Sequence, residues 1–365
     1  MSRTLPDPTA GVRCMIMRGG SSKGAYFLAE DLPRDATARD DLLRRIMGSP
    51  DQRQIDGMGG AHPLTSKVAI VGPCPDEDAD VEYLFLQVGV ETDQVSDRQN
   101  CGNLLSGVGP FAVERDLVDP GEGTTAAVRI LMRNTGTVAT AQFPVADGRP
   151  VYQGDTAISG VPGTAAPIDL VFEDLGGGSC GSMLPTGNAS DVIDDVPCTL
   201  VDNGMPVVVL RAEDVGITGH ETCDELEANE ELRNRLEAIR LQAGPIMNLG
   251  NVADTTVPKM TMVAPPTEDG HATTRTFIPH RCHEAIGVLG AVSVATAVLL
   301  PGSPAHGIGP TPTGEAVRLE HPTGFFDAVV AIRPTADAMI EVERAGIVRT
   351  ARKLMDGFVF PRSES

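Results

Sequence analysis

The sequence predicts an α+β protein of two similar halves, each a curled sheet around a buried helix. Short strand-type runs punctuated by glycine recur along the whole chain. Each half also holds one long segment that is apolar all round, 103–117 and 287–300, and a helix without a polar face must be buried on every side. The length of 365 residues exceeds what one hydrophobic core usually organises, so two domains are expected.

In chain order, residues 13–17, 25–28, 68–71, 83–90, 127–132 and 138–143 read as strands of the first half. The last two flank Arg133-Asn134-Thr135-Gly136, a hairpin turn in which Asn and Gly accept positive φ. Asn100, just before the first apolar segment, is placed to cap that helix. The acidic stretch 76–80 reads as a solvated loop, and 154–167, rich in Gly, Pro and Ala, as the link between halves. In the second half, 171–172, 207–210, 260–263 and 273–278 read as strands. Segment 221–241 spaces Leu226, Leu232, Leu236 and Ile239 among Glu and Arg, which predicts one amphipathic helix on the outside.

A net charge of −21 argues against nucleic acid or an anionic membrane surface as a partner. A small anion would need a positive pocket set into that negative surface, which makes clustered cations informative. The chain has 25 arginines but four lysines, Lys23, Lys67, Lys259 and Lys353. Where guanidinium serves almost everywhere, a retained ammonium suggests a compact charge or a group that can give up its proton. Seven cysteines without regular spacing predict reduced thiols rather than a disulfide scaffold. The start, 1–11, has no basic segment followed by an apolar one, and the longest apolar run, 288–300, is too short to span a bilayer. A soluble cytoplasmic protein is expected.

Four constellations carry candidate chemistry. Arg18-Gly19-Gly20-Ser21-Ser22-Lys23-Gly24 offers backbone N–H groups, two hydroxyls and two cations suited to a carboxylate. It is no P-loop, because Lys precedes Gly and a strand follows. Leu64-Thr65-Ser66-Lys67 sets a lysine at the entry of an apolar strand, the better candidate for proton transfer. Asn100-Cys101-Gly102-Asn103 puts a thiol at a helix N-terminus, where the macrodipole favours thiolate and free N–H groups hold anions. Arg275 and Arg281, ahead of the second apolar helix, would form a second carboxylate clamp, with Lys259 pointing to the same cleft or ending a strand. The run His280-Arg281-Cys282-His283 lacks a partner cluster at zinc spacing, so no metal is expected. No Gly-x-Gly-x-x-Gly follows a strand, which argues against a nucleotide cofactor.

The motifs above, with Gln54-Ile55-Asp56-Gly57-Met58-Gly59-Gly60, Leu184-Pro185-Thr186-Gly187-Asn188 and Asp202-Asn203-Gly204-Met205-Pro206, resemble the PrpF family over about residues 13–359. The resemblance implies a diaminopimelate epimerase-like fold: two pseudo-repeated domains, 1–156 joined by 346–365 and then 157–345, each a mostly antiparallel curled sheet around a central helix. The active site would lie in the cleft between them. It implies an isomerase of small anionic tricarboxylates that uses no cofactor or metal and tends to form homo-oligomers. The branch this chain resembles most carries out a keto–enol proton shift on 4-oxalomesaconate, a product of gallate breakdown; the alternatives are an allylic isomerase of a related tricarboxylate and a non-catalytic carboxylate binder. Lys67 and Cys101 match the family's proton-transfer groups. Arg18, Ser21, Ser22, Lys23, Asn100, Gly102, Asn103, Lys259, Arg275 and Arg281 are the expected substrate contacts. Gly287-Val288-Leu289-Gly290 stands where a two-thiol epimerase would carry its second cysteine.

Overall fold

The computed structural model describes residues 11–363 apart from 76–77, 98–99, 174, 315 and 335–339. Residues 1–10, Asp76 and Glu77 of the expected acidic loop, and Gln99 therefore lie outside the described residues. The chain divides into two units, Met1–Leu170 with Arg349–Ser365, and Val171–Val348.

The first unit contains β1 (Val12–Gly19), β2 (Ser22–Leu28), α1 (Ala36–Met47), β3 (Lys67–Pro73), β4 (Val81–Val88), β5 (Val95–Ser96), α2 (Gly102–Glu114), β6 (Thr125–Met132), β7 (Thr137–Ala146), β8 (Arg149–Pro150) and β9 (Pro167–Phe172). Strand β2 pairs antiparallel with β1 and parallel with β3. Beyond β3 come β4, then β6 in parallel, then β7. Strand β9 pairs with β7 and with the final strand, Ile340–Val359, whose last part returns antiparallel to β1, so the sheet closes on itself. Helix α2 runs inside it, touching β1, β2, β3, β4, β6 and β7, and every residue from Leu104 to Val113 is buried. This is the central helix its all-round apolar sequence demands.

Close approach of α2 to the sheet depends on glycine. A Cβ at Gly107 would lie 2.5 Å from the Tyr26 hydroxyl, and one at Gly19 would lie 2.5 Å from the Asn103 carbonyl. The fully buried Tyr26 donates to the Leu104 carbonyl at 2.6 Å.

Helix α1 was not legible in the pattern, because Arg and Asp interrupt its apolar residues. Asp35 caps it by accepting from the Ala38 N–H, and Gly48 ends it in the left-handed region. Its Leu42, Leu43, Ile46 and Met47 pack with Cys14, Ala25, Phe27, Val68 and Ile70 on the outer face of the sheet.

The second unit contains β10 (Asp191–Ile193), β11 (Val196–Asp202), β12 (Pro206–Arg211), α3 (Cys223–Ala228), α4 (Glu230–Ile246), β13 (Lys259–Ala264), β14 (Ala272–Phe277), α5 (Val288–Leu299), β15 (Ala316–His321), β16 (Gly324–Pro334) and the first part of β17 (Ile340–Val359). These strands pair in chain order, with β12–β13 and β14–β15 parallel and the rest antiparallel. Helix α5 packs against β11, β12, β15 and β16 and buries Ala291 through Val298. The fold class is α+β, with a helix-centred sheet in each unit.

The expected single helix 221–241 is two helices. Asn229, in extended backbone, ends α3 and caps α4 by accepting from the Leu232 N–H, while Thr222 and Glu225 form a capping box on α3. Leu226, Leu232, Leu236 and Ile239 all face the core as their spacing predicts. Among the described residues, no helix is long and apolar enough to cross a membrane.

Candidate active site

Lys67 and Cys101 meet in the first unit. The Lys67 ammonium nitrogen lies 3.6 Å from the Cys101 sulfur, and each residue is only 8% exposed. Lys67 opens β3, directly beside Gly24 of β2 and Gln87 of β4. A Cβ at Gly24 would lie 2.7 Å from the Lys67 carbonyl and 2.8 Å from Leu104 Cδ2, so a bare backbone there lets β3 and α2 close together. The Phe85 ring lies under the ammonium, 4.9 Å from nitrogen to centroid.

Cys101 is itself the N-cap of α2, in extended backbone and without a side-chain cap. The first N–H groups of a helix have no intrahelical acceptor, so those of Gly102 and Asn103 are available to an anion beside the thiol. Two buried phenols fix this end of the helix: Tyr83 donates to the Cys101 carbonyl at 3.4 Å, as Tyr26 does to Leu104. Burial, and secondly the nearby Cys101, push both phenols well above their ordinary value, so they remain neutral donors.

The capping role expected of Asn100 is corrected. Its carboxamide oxygen accepts from the adjacent Cys101 N–H at 2.8 Å and its amide faces the Met132 sulfur, so it reaches neither the second nor the third N–H of the helix.

The glycine-rich motif is also narrower than its sequence suggests. Only Gly20 and Ser21 form the turn, Gly20 with φ +52, while Ser22, Lys23 and Gly24 belong to β2. The Gly20 N–H is taken by the Thr350 carbonyl at 2.9 Å. Strand alternation then separates the motif's groups. Ser22 is on the side of α2, where the Asn103 amide approaches the Ser22 and Ser21 hydroxyls at 3.4 and 3.2 Å. Arg18 and Lys23, paired across β1 and β2, lie on the other face with Ile16 and Ala25. The Arg18 guanidinium donates to the carbonyls of Gly20 and Thr350, and burial, then Arg352, lowers its pKa. Arg352 is opposite Arg18 on β17, so Lys23, Arg18 and Arg352 stand in a row across three strands. None of the three forms an ion pair among the described residues. In a chain of net charge −21, that is a local positive strip.

The second unit holds the other candidates. Buried Arg275 donates to the backbone carbonyls of Glu221 and Thr274, and burial lowers its pKa. Arg281 is exposed and paired with Glu227 at 2.8 Å, the hydrogen bond that also raises its pKa. Its charge is therefore already matched within the unit. Lys259 begins β13, half-buried, with its pKa lowered by desolvation. The fourth lysine, Lys353, reaches both carboxylate oxygens of Glu114 at 2.7 Å. Residues that motif reading did not single out for the site are Phe85, Tyr26 and Tyr83, each an aromatic in a strand pattern that by itself reads as core.

The PrpF protein family model matches residues 10–362. The chain is 56% identical over 349 residues to a (4E)-oxalomesaconate Delta-isomerase of Novosphingobium sp. (strain KA1), covering 95% of this chain and 96% of that one. It is 54% identical over 350 residues to a 4-oxalomesaconate tautomerase of Pseudomonas putida, covering 95% of each. A crystal structure of a methylitaconate-delta-isomerase superposes with a TM-score of 0.86 at 36% identity, over 96% of this chain and 95% of that one. With a family model spanning nearly all of its length, the chain belongs to the PrpF family.

Proposed function

We propose that this protein is an isomerase interconverting the keto and enol forms of 4-oxalomesaconate by proton transfer, without a cofactor, as a self-associating cytoplasmic enzyme of aromatic-acid (gallate) breakdown. The observation that carries the reading is the buried 3.6 Å contact between Lys67 and Cys101, two groups able to exchange protons, set at an uncapped helix N-terminus able to hold an oxyanion.

In the keto-to-enol direction Lys67, acting as the base, takes the proton from the carbon next to the carbonyl. The C–H electron pair becomes the new C=C bond, the carbonyl π pair moves to oxygen, and that oxygen receives the proton of Cys101. The lysine is then protonated and the thiol ionised, and transfer across the Nζ–Sγ contact restores both groups. Composition and charge balance over the cycle. The N–H groups of Gly102 and Asn103 face the oxygen on which charge develops, a kind of interaction that typically contributes ~3 kcal/mol per donor. Ser21, Ser22 and the Asn103 side chain supply polar contacts for a carboxylate, and the Lys23–Arg18–Arg352 strip draws a trianionic substrate towards an otherwise negative protein.

The relative named a Delta-isomerase favours a second reading, in which the proton moves between two carbons. One experiment separates them: the ring-cleavage product of gallate is added and the enol absorbance followed, in parallel with NMR in deuterated water. The tautomerase reading expects enzyme-dependent change of the enol band. Deuterium at a methylene carbon with relocation of the double bond favours the allylic reading. Binding without exchange would overturn both.

A further inference from the structure

The Gln54–Gly60 motif contributes nothing to the chemistry above, yet it holds a buried carboxamide with both its nitrogen and its oxygen hydrogen-bonded close to Lys67. Gln54 is 1% exposed and sits at φ 45, a left-handed conformation that a non-glycine residue adopts only where its surroundings enforce it. Its amide nitrogen donates to the Ser49 hydroxyl at 2.9 Å and the Ser66 hydroxyl at 2.8 Å, and its oxygen accepts from the Ala61 N–H at 2.9 Å.

The rest of the motif holds that carboxamide still. A Cβ at Gly59 would lie 2.2 Å from the Gln54 oxygen, and one at Gly57 would lie 2.2 Å from the Gly48 nitrogen. The Met58 and Gly59 N–H groups dock on the Ile46 and Met47 carbonyls at the end of α1. Ser66 is the residue before Lys67, and its carbonyl is fixed by the Val88 N–H at 3.1 Å and the Gln87 amide at 2.9 Å.

We infer that Gln54 is a positioning residue: through the Ser66 hydroxyl it sets the backbone from which Lys67 reaches Cys101. The inference rests on the proton-transfer role proposed for Lys67. The amide is the right group because only a carboxamide presents two donors and an acceptor in one plane. Gln54→Glu keeps the acceptor for Ala61 and removes both N–H donors, to Ser49 and to Ser66, whereas Ser66→Ala removes only the hydroxyl through which Gln54 reaches the residue before Lys67.

Both variants, the double variant and Lys67→Met are compared for kcat, KM and Tm. Each single change lowers kcat about 10-fold or more with KM within about threefold, since small misplacement of a reacting group is costly. The losses of the two do not multiply in the double variant, because they break the same connection. If Gln54→Glu does not fold, Ser66→Ala decides alone. Wild-type kcat in Ser66→Ala, or multiplicative losses in the double variant, overturns the inference while Lys67→Met remains inactive. Retained kcat in Lys67→Met instead removes the lysine reading, and this inference with it.

Discussion

Replacing Gly24 by alanine tests whether the spacing of β3 and α2 sets the reactive contact. Ordinary van der Waals contact begins at 3.4 Å, whereas the new Cβ would meet the Lys67 carbonyl at 2.7 Å and Leu104 Cδ2 at 2.8 Å. The differences are 0.7 and 0.6 Å, and the first obstacle is backbone, so β3 at Lys67 must move away from β2 or α2 must move off the sheet. Either movement changes the 3.6 Å separation of Lys67 and Cys101. Overpacking of this kind typically destabilises by ~1–3 kcal/mol. A displacement of this size at a reacting group lowers kcat by about 10- to 100-fold. The assay is kcat and Tm side by side, with Gly123→Ala as control, because its Cβ would have only the Thr125 backbone nearby, at 3.6 Å and beyond. Wild-type kcat in Gly24→Ala would refute the reasoning, since the contact would then tolerate the shift that its geometry forbids.

Two further predictions follow from single side chains. Glu320 is buried, which by itself would raise its pKa, but the N–H groups of Thr267 and Glu268 and the Thr273 hydroxyl hold it down at about 2. Glu320→Gln therefore lowers stability by ~2–3 kcal/mol at neutral pH through lost charge-assisted bonds. A depressed carboxylate contributes stability present above its unfolded pKa and lost as pH falls through the folded one, so the deficit in urea unfolding shrinks from pH 4.5 towards 2; a pH-independent deficit would contradict this. Asn103→Ala removes the amide that approaches the Ser21 and Ser22 hydroxyls. It should raise KM by about 10-fold with kcat nearly unchanged, as loss of a substrate-binding group does, and a fall in kcat alone would assign Asn103 elsewhere.

The architecture was legible where one physical rule dominated. Helices α2 and α5 announced themselves because no polar face exists in either segment; the pattern also set Lys67 at a strand entry and Cys101 at a helix N-terminus, two positions whose side chains the fold brings within 3.6 Å. Reading failed where two signals competed. In α1, Arg and Asp mask a buried stripe that only tertiary packing completes. In 221–241, the apolar spacing of Leu226, Leu232, Leu236 and Ile239 runs on past Asn229, which acts as a cap as its low helix propensity favours. Long β17 has no counterpart among the strands read from the sequence, although its backbone pairs β16 and then β1. Arg18 and Lys23 seemed by sequence proximity to share a pocket with Ser22, yet period-two alternation puts them on the opposite face, and no motif records which face a strand turns inward.

The central claim is that Lys67 carries the carbon-bound proton, and Lys67→Met tests it most directly, since Met keeps much of the apolar stem and removes the amine. With 4-oxalomesaconate, kcat should fall at least about 10²-fold, the usual contribution of a general base, while substrate still binds and Tm holds; Cys101→Ser, measured beside it, should lose less. An unchanged kcat in Lys67→Met would contradict the account.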